Sequence, residues 1–101
     1  MGSRLNLQSL LEEILGSRNV YYQPPPSVQI GYPAIVYSRN NIENRYADNS
    51  VYSSKKQYEI IVIDEDPDSE IPDKVNALPM ARFQRHYTAD NLNHDVFTIY
   101  F

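Results

Sequence analysis

Cysteine is absent from this 101-residue chain, and so is tryptophan. Without cysteine there is no disulfide staple, no thiolate zinc site, no iron–sulfur cluster and no cysteine nucleophile, which fits a reducing compartment or an assembly held by other means. Only three glycines are present, too few for a Gly-rich loop that cradles phosphates. Basic residues are scarce too. Nine Lys and Arg stand against thirteen Asp and Glu, a net charge of −4 that argues against a nucleic-acid binder with its usual basic face. Apolar runs are a handful of residues long, far below the roughly 20 needed to span a bilayer, and no signal-peptide pattern is visible. What remains is ordinary in its totals: 42% hydrophobic and 22% charged residues match a globular domain rather than a disordered chain. One domain is expected at this length. A fold so small hides only about 60–68% of its unfolded surface, so its stability margin is thin.

The abundant residue is tyrosine, with nine copies against three phenylalanines. Tyr is favoured in strands and suits surfaces that become buried only in a complex, because it joins a large contact area to a polar tip.

From Ser3 to Gly16 the apolar residues Leu7, Leu10, Leu11, Ile14 and Leu15 follow the spacing of one helical stripe. Ser3 is the expected N-cap and Gly16 the left-handed terminator. Val20-Tyr21-Tyr22 leads into Pro24-Pro25-Pro26, read as a stiff connector from helix to sheet or a polyproline ligand. Ala34-Ile35-Val36-Tyr37 is a strand. Residues 38–54 are polar and Asn-rich with no sustained period, which predicts a long loop or an extended hairpin tip. Connections of that length in a small domain are commonly functional or ordered by a partner. Lys55 to Asp64 is a second strand, with Tyr58, Ile60 and Val62 on one face and a second face, Ile61 and Ile63, that also turns apolar. Ile71, Val75 and Leu78 mark a short helix capped by Asp68 or Ser69, with Pro72 in its first turn. Two strands follow, Met80–Thr88 and Val96–Phe101, joined by turn chemistry over residues 89–95; the last strand is expected in a covered position. The fold class is α+β: two helices on one mostly antiparallel four- to five-stranded sheet, with a long extended loop between the first two strands.

Catalytic constellations are missing. Asp64, Asp66 and Asp68 match the first three ligand spacings of an EF-hand, but Ser69 replaces the required Gly and Val75 the bidentate Glu. A solvated turn whose carboxylates favour the following helix is the plainer account. His86 and His94, with Asp90 and Asp95, suggest a metal site across a hairpin, or hairpin residues without one. No serine sits in a G-x-S-x-G elbow. Arg82, Arg85, Phe83 and Tyr87 offer too little positive charge for nucleic-acid stacking. Charge is unevenly spread, however. Residues 34–56 carry a net +2 through Arg39, Arg45, Lys55 and Lys56 against Glu43 and Asp48, whereas residues 57–80 carry −6. Such a molecule suits head-to-tail contacts of the kind that close into rings.

Taken in order, the leading helix, Gly31-Tyr32-Pro33-Ala34-Ile35-Val36-Tyr37, the loop with Arg45-Tyr46-Ala47-Asp48-Asn49 and Val51-Tyr52, the strand Gln57–Ile63, the Asp-Pro-Asp-led helix with Lys74-Val75 and Leu78, and the closing Asn93–Phe101 form a pattern. It resembles the small tail-terminator or tail-completion (tail-to-head joining) proteins of tailed phages and prophages. Pro24-Pro25-Pro26 has no counterpart in that pattern. The resemblance implies a structural, non-enzymatic subunit of a six-fold ring without cofactor or metal. The ring caps the tail-tube protein, ends tail growth and presents a surface to the head-closure or connector protein. DNA passes through it without specific binding, there is no membrane partner, and the location is the virion neck, or the host cytoplasm during assembly. Residues 38–54 would be an arm, with Arg39, Arg45, Tyr46, Asp48, Asn49 and Tyr52 at a subunit or neck interface and Asp64, Asp66 and Asp68 as an acidic edge. The alternatives are a head-closure or adaptor protein of the same neck, a small monomeric binding module that uses the Tyr/Asn loop, and a metal-dependent hydrolase built on His86, His94 and the acidic cluster.

Overall fold

A computed structural model describes residues 4–47 and 50–101, and for residues 43–55 the backbone alone. Its elements in chain order are helix α1 (Arg4–Leu15), strands β1 (Val20–Tyr22), β2 (Ala34–Ala47) and β3 (Ser50–Asp64), helix α2 (Ile71–Asn76), and strands β4 (Ala81–Ala89) and β5 (Leu92–Tyr100). The five strands form one sheet in the order β1-β2-β3-β5-β4, antiparallel except for the parallel β1–β2 pair. The architecture is α+β.

The two helices cover one side of the sheet. Leu7 and Leu11 of α1 and Val75 of α2 are fully buried, and they meet a floor of Ile35, Tyr37, Tyr58, Ile60, Val62, Phe97 and Ile99. Helical period on one side and alternation on the other thus build a single core. Gly16 ends α1 at φ +79°, and its N–H donates to the Glu12 carbonyl at 2.9 Å. The proposed cap at Ser3 lies outside the described residues. At α2 the expected caps are displaced by one or two residues. The N-cap is Glu70, whose side chain makes no capping bond, while Ser69 Oγ accepts from the Ile71 N–H at 3.3 Å.

α1 is fastened by a polar clasp. Tyr37 Oη donates to Gln8 Oε1 at 2.5 Å, Gln8 Nε2 donates to the Val20 carbonyl at 3.0 Å, and Arg4 stacks over the Tyr22 ring at 4.6 Å. Burial pushes the Tyr37 hydroxyl above its ordinary pKa of 10.0, and Arg4 pulls weakly the other way. Two results follow. Tyr37→Phe leaves Gln8 Oε1 without its donor and is expected to cost about 1–3 kcal/mol, read as a lower urea midpoint at unchanged m-value. A raised folded-state pKa means stability is intact below the unfolded tyrosine value and is lost as pH climbs through the folded one, so the wild type should weaken above pH 10 and Tyr37→Phe should flatten that limb.

Two features depart from the sequence reading, and a third decides between its alternatives. Val20–Tyr22 is a parallel edge strand, so Pro24-Pro25-Pro26 belongs to the crossover from β1 to β2, where the Val28 N–H donates to the Pro25 carbonyl at 3.1 Å. The expected 89–95 turn shrinks to Asp90-Asn91, both at positive φ (53° and 62°), with Ala89 paired to Leu92. Such a pair fits the two-residue hairpin turn that matches strand twist. Of the two readings for residues 38–54, a long loop or an extended hairpin tip, the described residues form the hairpin, with pairing that runs from Ser38↔Glu59 to Ala47↔Ser50.

Candidate functional site

β5, the last strand, lies between β3 and β4, but its pairing with β3 ends at Gln57↔Tyr100. β2 and β3 continue together past that point, from Asn41↔Gln57 to Ala47↔Ser50. The continuation is a two-stranded ribbon about 20 Å long at about 3.3 Å per residue. It accounts for the long axis of a molecule measuring 51 × 27 × 23 Å and for a radius of gyration of 14.7 Å. A compact chain of this length would have a radius of about 13 Å. The ribbon stands outside the core, and two strands alone are marginally stable in water. Register shifts at Arg39/Asn41 and Arg45/Tyr46 bend the ladder at its base and near its tip.

The proposed interface residues divide into two groups. Arg39 sits exposed at the base of the ribbon, opposite Tyr58, where its N–H donates to Gln23 Oε1 at 3.4 Å. The side chains of Arg45, Tyr46 and Tyr52, and the whole of Asp48 and Asn49, lie outside the described residues. Asp64, Asp66 and Asp68 are at the far end of the sheet, about 20 Å along β3 from Tyr58 by strand rise. Arg39 and the acidic edge therefore cannot pair within one copy.

The acidic stretch is chiefly a piece of turn chemistry. The Asp66 N–H donates to Asp64 Oδ1 at 3.0 Å, and the Asp68 N–H to Asp66 Oδ1 at 2.9 Å. Two carboxylates are thus turned back onto their own backbone, the behaviour that places Asp in turns. Glu65, Asp68, Glu70 and Asp73 remain exposed. No group of three or more His, Asp or Glu that could hold a metal is found among the described residues.

The two histidines face opposite sides of the sheet. His86 is paired with Asp95, its Nδ1 2.9 Å from Asp95 Oδ1, whereas His94 is paired with Tyr87 and stacks on its ring at 4.6 Å and 10°. A shared metal between them is excluded by that geometry. No family model and no curated protein matches this chain. The likeness to tail-terminator proteins therefore rests on the motifs alone.

β4 was expected as a strand over Met80–Thr88, but its exposure is the feature that sequence reasoning missed. It is an outer strand with every residue after Ala81 exposed on both faces, including Phe83 at 48% and Tyr87 at 37%. The signal available was Arg82-Phe83-Gln84-Arg85-His86-Tyr87, a strand that carries charge at close intervals, as exposed edges do. Among the described residues, no helix is long and apolar enough to cross a membrane.

Proposed function

We propose that the chain is a structural subunit of a tailed-phage neck. Six copies form a ring that caps the tail tube, ends tail growth and joins the tail to the head connector, in the virion and beforehand in the host cytoplasm. The observation that carries this reading is the unsupported β2–β3 ribbon. A polar ladder of that length gains little from its own chain, and a neighbouring subunit or the tube supplies the missing burial. The separation of Arg39 from the acidic edge is further support, because charges that cannot meet inside one copy are free for contacts between copies.

The role is mechanical, with no bond made or broken. Ring closure needs a heterologous contact, one surface on one side of the subunit and a different surface on the other. The ribbon supplies reach, and the five-stranded sheet supplies a rigid base. Native mass measurement of the purified chain, alone and with tail-tube protein, should give a closed assembly of defined stoichiometry. Monomer at every concentration, with and without the tube protein, overturns the proposal. Arg45→Glu should weaken the ring while the monomer stays folded, and an unchanged sedimentation profile would count against an arm contact through that residue.

A further inference from the structure

The two ends of the sheet differ in how they are finished. β1 is three residues long, and the Val20 carbonyl is occupied by Gln8 of α1. β4 is nine residues long, exposed on both faces and flanked by Met80 at 57% exposure. On a regular strand Arg82 and Arg85, three residues apart, would point to opposite sides. The bulge between Phe83 and Arg85 changes this. Arg82 pairs with Thr98, Arg85 with Val96 and Tyr87 with His94, alternate residues of β5 that share one side. Gln84 joins them by donating to Thr98 Oγ1 at 2.9 Å, and Arg85 lies over the Tyr87 ring at 5.4 Å. The bulge has thus gathered both arginines on the open side of the sheet, away from the helices, which is a recognised use of bulges. Neither arginine has a carboxylate partner among the described residues, where the Asp95 carboxylate is bonded to His86.

The complementary charge lies across the same strand. Asp68 and Asp73 line a groove with His86 and Asp95 on the helix side of β4, and among the described residues their carboxylates carry no bond. One edge therefore presents the two arginines on one side and the two carboxylates on the other, without pairing between them. Pairing β4 antiparallel with β4 of a second copy, in the register that sets Arg82 opposite Arg85, would bring like charges face to face, which is destabilising.

We propose that the open side of β4, through Arg82 and Arg85, receives the acidic connector 64–70 and the first turn of α2 of a second copy, head to tail. The inference rests on the ring reading above and names the surfaces that meet. Arg is suited to this because its guanidinium forms paired hydrogen bonds with a carboxylate. Exposed ion pairs alone are weak, about 0–1 kcal/mol each, so the contact also depends on covering Met80 and Tyr87. Repetition of the same contact leaves no unpaired surface once the ring closes.

The cysteine-free chain gives a clean background for a trapping experiment. Arg85→Cys and Asp68→Cys are exposed substitutions that leave the core untouched. Mixed and oxidised at concentrations where the wild type assembles, the two variants should form a disulfide-linked heterodimer, and each variant alone should stay monomeric on a non-reducing gel. A chain carrying both changes should give a ladder that ends at the ring size. As a second measurement, R82E with R85E should raise the concentration at which assembly occurs by tenfold or more, and D68R with D73R in the same chain should restore it. Crosslinking of Arg85→Cys to itself, or no heterodimer while the wild type is assembled, overturns this contact and leaves the ring reading standing. A wild type that never assembles overturns both.

Discussion

Phe97→Ala is expected to cost about 3–5 kcal/mol, the range for truncating a buried aromatic side chain. Phe97 is 1% exposed at the centre of the sheet, opposite Ile60 on β3 and Phe83 on β4, with its ring edge-on to Phe83 at 5.4 Å. The surrounding side chains come from three strands held in register, so the space left cannot close without moving the ladder. A domain of this size has roughly 5–15 kcal/mol in total, so the loss would take a large share of it. Phe83→Ala removes the partner ring, but Phe83 is 48% exposed, and its loss should cost about 1 kcal/mol. Ile60→Ala and Leu11→Ala, at fully buried positions, belong with Phe97 in the range of about 2–5 kcal/mol. Urea unfolding of the four variants checks this order. Equal losses at Phe83 and Phe97 would show that β4 is covered in solution.

The contrast between those two phenylalanines explains which parts of the fold were legible. Where one face is buried, the spacing of apolar residues records it. Leu7 and Leu11 mark the inner stripe of α1, and Tyr58, Ile60 and Val62 mark the inner face of β3, as the sequence reading proposed. Where strands are held through the backbone alone, the record is blank. The 41–57 ribbon is held by backbone bonds, which any residue can make, so Asn-Asn-Ile-Glu-Asn reads as loop whether or not it is paired. β1 was missed for another reason: three residues are too few to show a period. The histidines turned on the length of a turn. With two residues at Asp90-Asn91, His86 falls opposite Asp95 and His94 opposite Tyr87. One residue more or fewer would have put the two histidines on the same side, because a shift of one position exchanges the faces of a strand. The acidic cluster was read correctly as a turn, and its hydrogen bonds supply the reason. The bulge at Gln84 had no sequence signature, so the joint placement of Arg82 and Arg85 was beyond reach.

The ribbon itself offers the largest expected effect on assembly. Replacing residues 40–57 with Asn-Gly would join Arg39 to Tyr58, residues already paired, by a two-residue turn. Among the residues whose side chains are described, the buried ones of β2 and β3 lie within Ala34–Tyr37 and Tyr58–Ile63, outside the deleted segment. A shorter connection also has less closure entropy to lose, which offsets the lost ladder bonds. The shortened chain should therefore keep its core, with a Tm within several degrees of the wild type. Assembly should respond very differently. If the ribbon reaches a neighbouring subunit or the tube, its loss should raise the concentration needed for the ring about 100-fold or more, equivalent to about 2.8 kcal/mol. A monomeric binding module would instead keep its sedimentation behaviour and lose only its partner. A shortened chain that folds and still forms the full ring would assign the contact to the sheet edge alone. Loss of the ring with the core intact would place the arm at the joint between copies, with the β4 contact as its complement rather than its substitute.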